Sequence, residues 1–271
     1  MSKLALVSGA AGGLGKAMAV ECAARGYDLY ITDISALKLA CLATGIKRQY
    51  GVDVHFRACD LTDPQDIAAL WEDVERCGPL SLLVNVAGLD FEGAFMDVPA
   101  EKLNTIVRVN IEATISMTQH AVMRHVAGER MHIINVCSLA AYYPMPVKAV
   151  YAASKRFLLN FTLALREELR ERNIIVTALC PAGMPTTQEA IESIASQGLA
   201  GAVTTYNTTT VAHRTLSRAL SGRRVYVPGI FNSFLRFFSV ILPPPVLAHF
   251  IYRRWCSTRE KVEQSKLAVG H

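Results

Sequence analysis

Residues 8–15 of this chain read Ser8-Gly9-Ala10-Ala11-Gly12-Gly13-Leu14-Gly15 and follow a short apolar run. The run predicts a buried strand, and the residues after Gly13 have the apolar spacing of a helix. Glycine lets the backbone approach a pyrophosphate because no Cβ stands in the way, and a helix N-terminus offers free amides to an anion. This context predicts a dinucleotide-binding loop. Its candidate residues are Gly9, Gly13, Leu14 and Gly15.

Apolar runs and helix-period segments alternate along the rest of the chain. Strands are predicted at Lys3–Ser8, Asp28–Thr32, Asp53–Ala58, Leu80–Asn85, His132–Cys137, Ile174–Leu179 and Arg224–Val227. Helices are predicted at Gly13–Arg25, Ser35–Tyr50, Pro64–Cys77, Glu101–His125 and Val150–Arg172. Such alternation is typical of an α/β fold with a doubly wound parallel sheet of Rossmann type, covered on both faces. We expect one domain, with residues 1–230 binding the dinucleotide and catalysing, and residues 231–271 forming a lipophilic C-terminal helical extension.

The composition excludes several classes of protein. The chain has 271 residues, of which 51% are hydrophobic and 19% charged, too long and apolar for a disordered or disulfide-stapled mini-protein. Its seven cysteines lack a C-x-x-C spacing and its histidines lack an H-E-x-x-H pattern, so we expect free thiols and no metal. Because the first apolar run is too short for a signal-peptide core, we expect a cytoplasmic protein.

The C-terminal segment is basic and lipophilic. Residues 222–271 contain eight Lys/Arg and two Glu, whereas the other 221 residues contain 20 Lys/Arg and 21 Asp/Glu. This combination suits a lipophilic acid or an anionic membrane surface better than nucleic acid, and we expect no nucleic-acid partner. The triple proline 243–245 interrupts the apolar stretch, so it cannot form a spanning helix. The segment could line a substrate mouth, form a subunit contact or lie peripherally on a membrane.

Asp33 follows the second predicted strand, 18 residues beyond Gly15. A carboxylate there can accept hydrogen bonds from an adenosine ribose diol and would repel a 2′-phosphate. Positions 12, 34 and 35 carry no basic residue, so the sequence favours NAD over NADP. The alternative is that Asp33 only caps the helix that begins near Ser35.

Tyr151 and Lys155 are the strongest candidates for chemistry. Side chains at positions i and i+4 share a helix face, and an adjacent ammonium can stabilise a phenolate. Ser138 ends a predicted strand 13 residues earlier, where its hydroxyl could hold a substrate oxygen against the phenol. Asn110 lies within an apolar helix segment, which indicates either a helix-packing amide or a relay element.

In its motifs the sequence resembles the short-chain dehydrogenase/reductase family over roughly residues 3–230. The glycine motif with Ser8 in place of the usual Thr, Asp60-Leu61, and Asn85-Val86-Ala87-Gly88 in place of N-N-A-G occur in the family's order, together with Asn110, Ser138, Tyr151 and Lys155. The family's P-G-x-x-x-T occurs as Pro181-Ala182-Gly183-Met184-Pro185-Thr186, with Ala182 at the glycine position. The tail resembles that of carbonyl reductases and hydroxysteroid dehydrogenases.

The resemblance implies hydride transfer between nicotinamide C4 and a carbinol or carbonyl carbon. Tyr151 would be the general acid/base, Lys155 would bind the nicotinamide ribose and lower the pKa of Tyr151, and Ser138 would orient the substrate oxygen. Asn110 would hold a water that connects Lys155 to solvent. Further cofactor contacts would come from Asp60, Leu61, Asn85, Ala87, Gly88, Pro181, Met184 and Thr186. A homodimer or homotetramer is expected, with helices Glu101–His125 and Val150–Arg172 as candidate interfaces.

The leading hypothesis is an NAD(H)-dependent oxidoreductase acting on a secondary alcohol or ketone of a lipophilic molecule, with a bile acid-like hydroxysteroid as the specific substrate. One alternative is reduction of a 3-oxoacyl thioester or small carbonyl with NADPH, and a second is a non-enzymatic dinucleotide sensor. Residues Gln188–Thr210 are a candidate lid over the substrate.

Overall fold

The computed structural model describes residues 3–184 and 206–253 of the chain. The strands are β1 (Lys3–Ser8), β2 (Tyr27–Asp33), β3 (Val54–Ala58), β4 (Leu80–Asn85), β5 (Met131–Val136), β6 (Ile174–Leu179) and β7 (Val225–Tyr226). The α-helices include α1 (Gly13–Ala24), α2 (Ala36–Tyr50), α3 (Pro64–Arg76), α4 (Ala100–Val107), α5 (Ala113–Met123), α6 (Ala149–Glu168), α7 (Thr208–Leu220) and α8 (Ile230–Ile241). Every predicted strand is present with bounds shifted by a few residues at most, and so is every predicted helix except Glu101–His125.

All seven strands belong to one parallel sheet in the order β3-β2-β1-β4-β5-β6-β7. The chain starts in the middle, adds β2 and β3 on one side, and then crosses to β4 on the other. In such sheets ligands bind beyond the carboxyl ends of the strands, at the point where the order reverses. That point lies between β1 and β4, where the glycine loop begins. The predicted doubly wound fold is therefore confirmed.

The two faces of the sheet are covered by different helices. In β1, Ala5 and Val7 pack on one face with buried residues of α1, α2 and α7, while Leu4 and Leu6 pack on the other with residues of α3 and α5. This alternation follows from the two-residue period of a strand. The outer strand β3 departs from the expected double coverage, because most of its side chains are exposed at the sheet edge.

The structure shows what starts α3, and it divides one of the predicted helices into two. Asp63 accepts a hydrogen bond from the Gln65 backbone amide at 2.8 Å and so caps α3, whose first residue is Pro64. The predicted helix Glu101–His125 is instead two helices, α4 and α5, joined by a π-helical turn at Arg108–Glu112. Turns of this kind often accompany functional sites, and this one contains Asn110.

The C-terminal segment forms short helices rather than one long one. Helix α8 begins at Ile230, and residues 244–253 form a second helix that begins within the proline run. None of the helices in residues 3–184 and 206–253 is long and apolar enough to cross a bilayer. The division of the chain at residue 230 stays a prediction.

Candidate active site

The loop between β1 and α1 leaves no room for side chains at two of its glycines. Gly9 has a φ of +64°, and a Cβ there would lie 2.7 Å from the Ala87 backbone nitrogen. At Gly15 a Cβ would lie 1.9 Å from the Gly9 carbonyl oxygen. Only glycine fits these positions without moving backbone, so the loop can press against β4 and stay open to a ligand.

The N-terminus of α1 has the donors that a diphosphate needs. Gly12 precedes the helix and supplies no side-chain cap, and the first turn carries no acidic residue. First-turn amides lack partners within a helix, and the helix dipole favours an anion at this end. The backbone at Gly13 and Leu14 therefore fits the diphosphate of a nicotinamide dinucleotide.

Ser8 and Asp33 fix the glycine loop from both sides. The Ser8 hydroxyl accepts hydrogen bonds from the backbone amides of Val86 and Ala87 at 3.2 and 3.4 Å, which ties the end of β1 to the end of β4. Asp33 Oδ2 accepts a hydrogen bond from the Ala11 amide at 3.0 Å. The carboxylate therefore stands directly beside the glycine loop, whereas its contact with the Ser35 amide is longer, at 3.4 Å.

Three of the residues that are expected to bind the cofactor form hydrogen bonds or packing contacts with other residues of the protein. Asp60 accepts hydrogen bonds from the amide and hydroxyl of Thr62 at 2.9 and 2.8 Å, and the Leu61 side chain is buried in the core. Asn85 donates to Asn135 Oδ1 at 2.9 Å, between β4 and β5. These residues shape the strand ends, and their contact with a cofactor stays a prediction.

Asn110 joins the end of β4 to α6. Its side-chain amide exchanges two hydrogen bonds with the backbone of Leu89, at 2.8 and 3.0 Å, and donates a third to Ser154 Oγ at 3.0 Å. Asn110 is completely buried. The helix-packing interpretation of this amide is therefore correct, while its predicted role in holding a water stays a prediction.

Tyr151, Lys155 and Ser138 converge at the carboxyl ends of β4 and β5. Lys155 Nζ donates to the Val136 carbonyl oxygen at 2.9 Å and lies 5.8 Å from the centre of the Tyr151 ring. A Cβ on Gly88 would lie 3.1 Å from this same Nζ atom, so the glycine makes room for the ammonium. Ser138 follows β5 and accepts a hydrogen bond from the Ala140 amide at 3.1 Å.

Burial dominates the acid–base properties of the pair. It raises the pKa of the Tyr151 phenol above its usual range, as does the charge of Asp90, while hydrogen bonding to Ser138 acts in the opposite direction. Burial also lowers the pKa of Lys155, and the charges of Cys137 and Asp90 oppose this effect. The Lys155 ammonium donates to the Val136 carbonyl oxygen, and its expected lowering of the Tyr151 pKa stays a prediction.

A charged cluster beside Tyr151 was not foreseen from the sequence. Lys148 Nζ lies 2.6 Å from Asp90 Oδ2, 3.4 Å from Glu92 Oε2 and 5.9 Å from the centre of the Tyr151 ring. The position of Lys148, three residues before Tyr151, could have marked it in the sequence as a neighbour of the phenol. Its acidic partners could not be found in this way, because they lie on the loop after β4.

Val147 holds this cluster in place at a cost in backbone strain. It has a φ of +60°, which β-branched residues rarely adopt. Its carbonyl oxygen accepts a hydrogen bond from the Gly93 amide at 2.9 Å. Strain of this kind persists only where the surroundings fix the conformation, and here it fixes the start of α6 against the loop after β4.

The loop after β6 is described only in part. The Pro181 carbonyl accepts a hydrogen bond from the Leu139 amide at 2.7 Å, and Met184 packs against the core. Thr186 lies outside the described residues, as does most of the expected lid Gln188–Thr210, whose last residues open α7.

The glycine loop contacts Ala87, and the next residue, Gly88, lies against the Lys155 ammonium, which has Tyr151 as a neighbour. This arrangement is typical of dinucleotide-dependent oxidoreductases of Rossmann type. The family model described as short chain dehydrogenase matches residues 3–220. The chain belongs to the short-chain dehydrogenase/reductase family, as its motifs indicated.

Characterised relatives act on different substrates. The chain is 27% identical over 192 residues to a 3-oxoacyl-(acyl-carrier-protein) reductase of Aquifex aeolicus, covering 70% of this chain and 77% of the relative. It is 29% identical over 189 residues to the 17-beta-hydroxysteroid dehydrogenase type 3 of Homo sapiens, covering 69% of this chain and 60% of the relative. The match therefore spans less than two thirds of the human protein.

Solved structures share the fold and differ in cofactor. A short-chain dehydrogenase from Sphingobium yanoikuyae in complex with NADPH has a TM-score of 0.75 at 23% identity, over 98% of this chain and 95% of that one. A short-chain dehydrogenase/reductase from Burkholderia phymatum in complex with NAD has a TM-score of 0.79 at 22% identity, over 90% and 96%. The family thus binds a nicotinamide dinucleotide, and both forms occur among similar folds.

Proposed function

We propose that this protein is an NAD(H)-dependent oxidoreductase that interconverts a secondary alcohol and a ketone on a lipophilic substrate, with a bile acid-like hydroxysteroid as the preferred substrate. The convergence of Tyr151, Lys155 and Ser138 beside the glycine loop carries the proposal. It brings a proton carrier, a cation and a hydroxyl donor together at the switch point of the sheet.

The chain's own residues would move the proton. In alcohol oxidation the ionised Tyr151 oxygen takes the hydroxyl proton while the carbinol hydrogen leaves as hydride, so a ketone forms. In ketone reduction the phenol returns that proton to the carbonyl oxygen. The nicotinamide supplies the hydride acceptor or donor. Ser138 would hold the substrate oxygen in hydrogen-bond range of the phenol.

Lys155 and Asn110 would support this step. The Lys155 ammonium would bind the nicotinamide ribose, and its positive charge would favour the ionised phenol as the two groups approach. Asn110 would keep the backbone after β4 fixed to α6 through Leu89 and Ser154. The backbone from Gly13 to Gly15 would hold the diphosphate, and Gly9 and Gly88 would also contact the cofactor.

NAD is the proposed cofactor because Asp33 stands beside the glycine loop and has no cationic neighbour in sequence. Ile34 is 78% exposed, so an arginine at this position would have room to meet a 2′-phosphate. We expect the wild type to have a kcat/KM for NAD at least about tenfold that for NADP, and Asp33→Ala with Ile34→Arg to narrow or reverse the ratio. Equal kcat/KM values of the wild type with both cofactors would contradict the assignment.

Two observations support the proposed substrate class: similarity to known enzymes and the composition of the C-terminal segment. The similarity to a human hydroxysteroid dehydrogenase and the lipophilic, basic C-terminal segment favour a lipophilic acid. The similarity to the Aquifex aeolicus reductase favours a second candidate, the reduction of a 3-oxoacyl thioester or small carbonyl. A screen of hydroxysteroids, small secondary alcohols and 3-oxoacyl thioesters, read by NADH and NADPH absorbance, distinguishes the two. No turnover of any of these by the wild type, with retained cofactor binding, would instead favour the dinucleotide sensor.

We also propose a homodimer or homotetramer that uses α5 and α6. The rings of Phe157 and Phe161 stack on α6 with their centres 5.9 Å apart, and Phe157 and Ile115 are exposed. Exposed apolar side chains on neighbouring helices suit a subunit contact. Sedimentation of the wild type and of Phe157→Glu tests this, because a charge there should dissociate the oligomer.

A further inference from the structure

Helix α8 has the opposite orientation to an ordinary amphipathic surface helix. One side carries six large apolar residues that are 46% to 78% exposed. They form the α8 apolar face, which consists of Ile230, Phe231, Phe234, Phe237, Phe238 and Ile241. The opposite side, with the buried Asn232 and the half-buried Leu235, packs on the protein. Surface helices normally bury their apolar face, whereas the contacts within residues 3–184 and 206–253 leave this one exposed.

The outward orientation is fixed by contacts on the inner side. The Tyr143 hydroxyl donates a hydrogen bond to the Leu235 carbonyl oxygen, and the Arg236 guanidinium lies 5.3 Å from the centre of the Tyr142 ring. Asn232 Nδ2 donates to the Pro228 carbonyl oxygen at 2.8 Å. Because Tyr142 and Tyr143 follow Ser138 in the chain, the helix is anchored next to the proposed reaction site.

The segment after the proline run continues the same surface character. Val246 and Phe250 are exposed, and Leu247 is buried. Arg253 is also exposed and lies seven residues after Val246, which places both on one helix face. Two short helices therefore present aromatic and aliphatic side chains with arginines beside them.

The charged residues in this stretch of the sequence all have one sign. The sequence contains no Asp or Glu between Glu192 and Glu260, whereas Arg236, Arg253 and Arg254 lie within or directly after the two helices. Apolar side chains flanked by cations match the interface of an anionic bilayer, where acyl chains receive the apolar face and headgroup phosphates receive the arginines.

We propose that the α8 apolar face and the helix at 244–253 dock the protein on the surface of an anionic lipid bilayer without spanning it. A second copy of the chain is a poorer occupant, because a two-fold contact would bring like-charged arginines together with no carboxylate from this segment to pair them. Nucleic acid suits the arginines but not Ile230, Ile241 and Val246. The proposal does not depend on the proposed reaction.

Co-sedimentation of the full chain with vesicles tests the docking surface. We expect binding to vesicles of phosphatidylcholine with phosphatidylglycerol and little binding to phosphatidylcholine alone. Phe234→Ser with Phe237→Ser should weaken binding about tenfold or more, and Arg253→Glu should weaken it about tenfold, whereas Arg253→Lys should retain it. Leu37→Ser with Phe56→Ser is the matched control, because these exposed apolar residues lie on α2 and on β3, at the opposite edge of the sheet from β7, and should not affect binding.

Several results would overturn the proposal. These are no binding to either vesicle, equal binding to both, or equal loss of binding in the matched control. A change of oligomeric state in Phe234→Ser with Phe237→Ser, with vesicle binding unchanged, would assign the face to a second copy. A raised KM for a lipophilic alcohol, with vesicle binding unchanged, would assign it to the substrate mouth. Melting temperatures of all variants show whether each is folded.

Discussion

The acid–base behaviour of Tyr151 depends on residues outside the predicted catalytic set. Asp90 is close enough for its charge to raise the pKa of the phenol, and Lys148 pairs with that carboxylate at 2.6 Å. Lys148 therefore compensates a charge that would otherwise oppose ionisation of Tyr151. Glu92 also contacts Lys148, and burial raises the pKa of this carboxyl. Asp90, Glu92 and Lys148 therefore set the local charge beside Tyr151, the proposed proton carrier.

The charges of Asp90 and Lys148 determine the direction in which the pH profile of alcohol oxidation should move. Alcohol oxidation needs the ionised phenol, so its kcat/KM rises with pH through the pKa of Tyr151. Asp90→Asn removes a negative charge and should move that rise to lower pH, whereas Lys148→Met exposes the carboxylate and should move it to higher pH. Each shift should be on the order of half a pH unit, as expected for one partly solvated charge nearby. Profiles that move in the same direction for both variants would contradict this account.

The glycine loop connects β1 and α1 through backbone contacts that leave no room for a side chain at Gly15. Gly15→Ala would bring a Cβ to 1.9 Å from the Gly9 carbonyl oxygen, so the loop must move. We expect NADH binding, measured by fluorescence titration, to weaken about tenfold or more. Gly45→Ala in α2 is the matched control: its Cβ meets nothing within 4 Å, so the helix should gain about 0.5–1 kcal/mol and binding should be unchanged. Unchanged binding in Gly15→Ala would refute the assigned role of the loop.

Elements defined by local patterns could be predicted from the sequence, and those defined by long-range packing could not. The strand–loop–helix at 3–24 follows from composition and glycine spacing, and Tyr151 and Lys155 share a face because helical geometry requires it. The π-helical turn at Asn110 was not predicted, because it depends on contacts with Leu89 and Ser154. The pairing of Asp90 with Lys148 depends on the loop after β4. The outward orientation of α8 depends on where Tyr143 holds it.

A buried histidine makes the free energy of unfolding of the whole protein depend on pH. His132 lies at the start of β5, is 6% exposed, and its Nδ1 atom has no hydrogen-bond partner within the described part of the chain. Burial lowers its pKa from 6.5 to about 4, and the charge of Arg130 acts in the same direction. The folded state therefore favours the neutral ring. Its contribution to stability is present above the unfolded pKa and is lost as pH falls from 6.5 to about 4.

We expect the unfolding free energy of His132→Leu to change less with pH than that of the wild type. The wild type should lose up to about 3 kcal/mol of unfolding free energy across the window, because its unfolded state binds a proton that the folded state does not. Urea unfolding at about pH 7 and about pH 5 measures the difference, with the exposed His249→Gln as control. If His132→Leu and the wild type lose equal stability between the two pH values, His132 is not responsible.

The proposed hydride transfer with Tyr151 as proton carrier is tested most directly by turnover of Tyr151→Phe, with NADH binding measured on the same preparation. We predict that kcat/KM for the best alcohol with NAD falls about a hundredfold or more while NADH binding stays within about twofold of the wild type. Tyr50→Phe, which removes a hydroxyl from α2, should leave both unchanged. Retention of most of the wild-type turnover by Tyr151→Phe would show that another group carries the proton and would contradict the proposed mechanism.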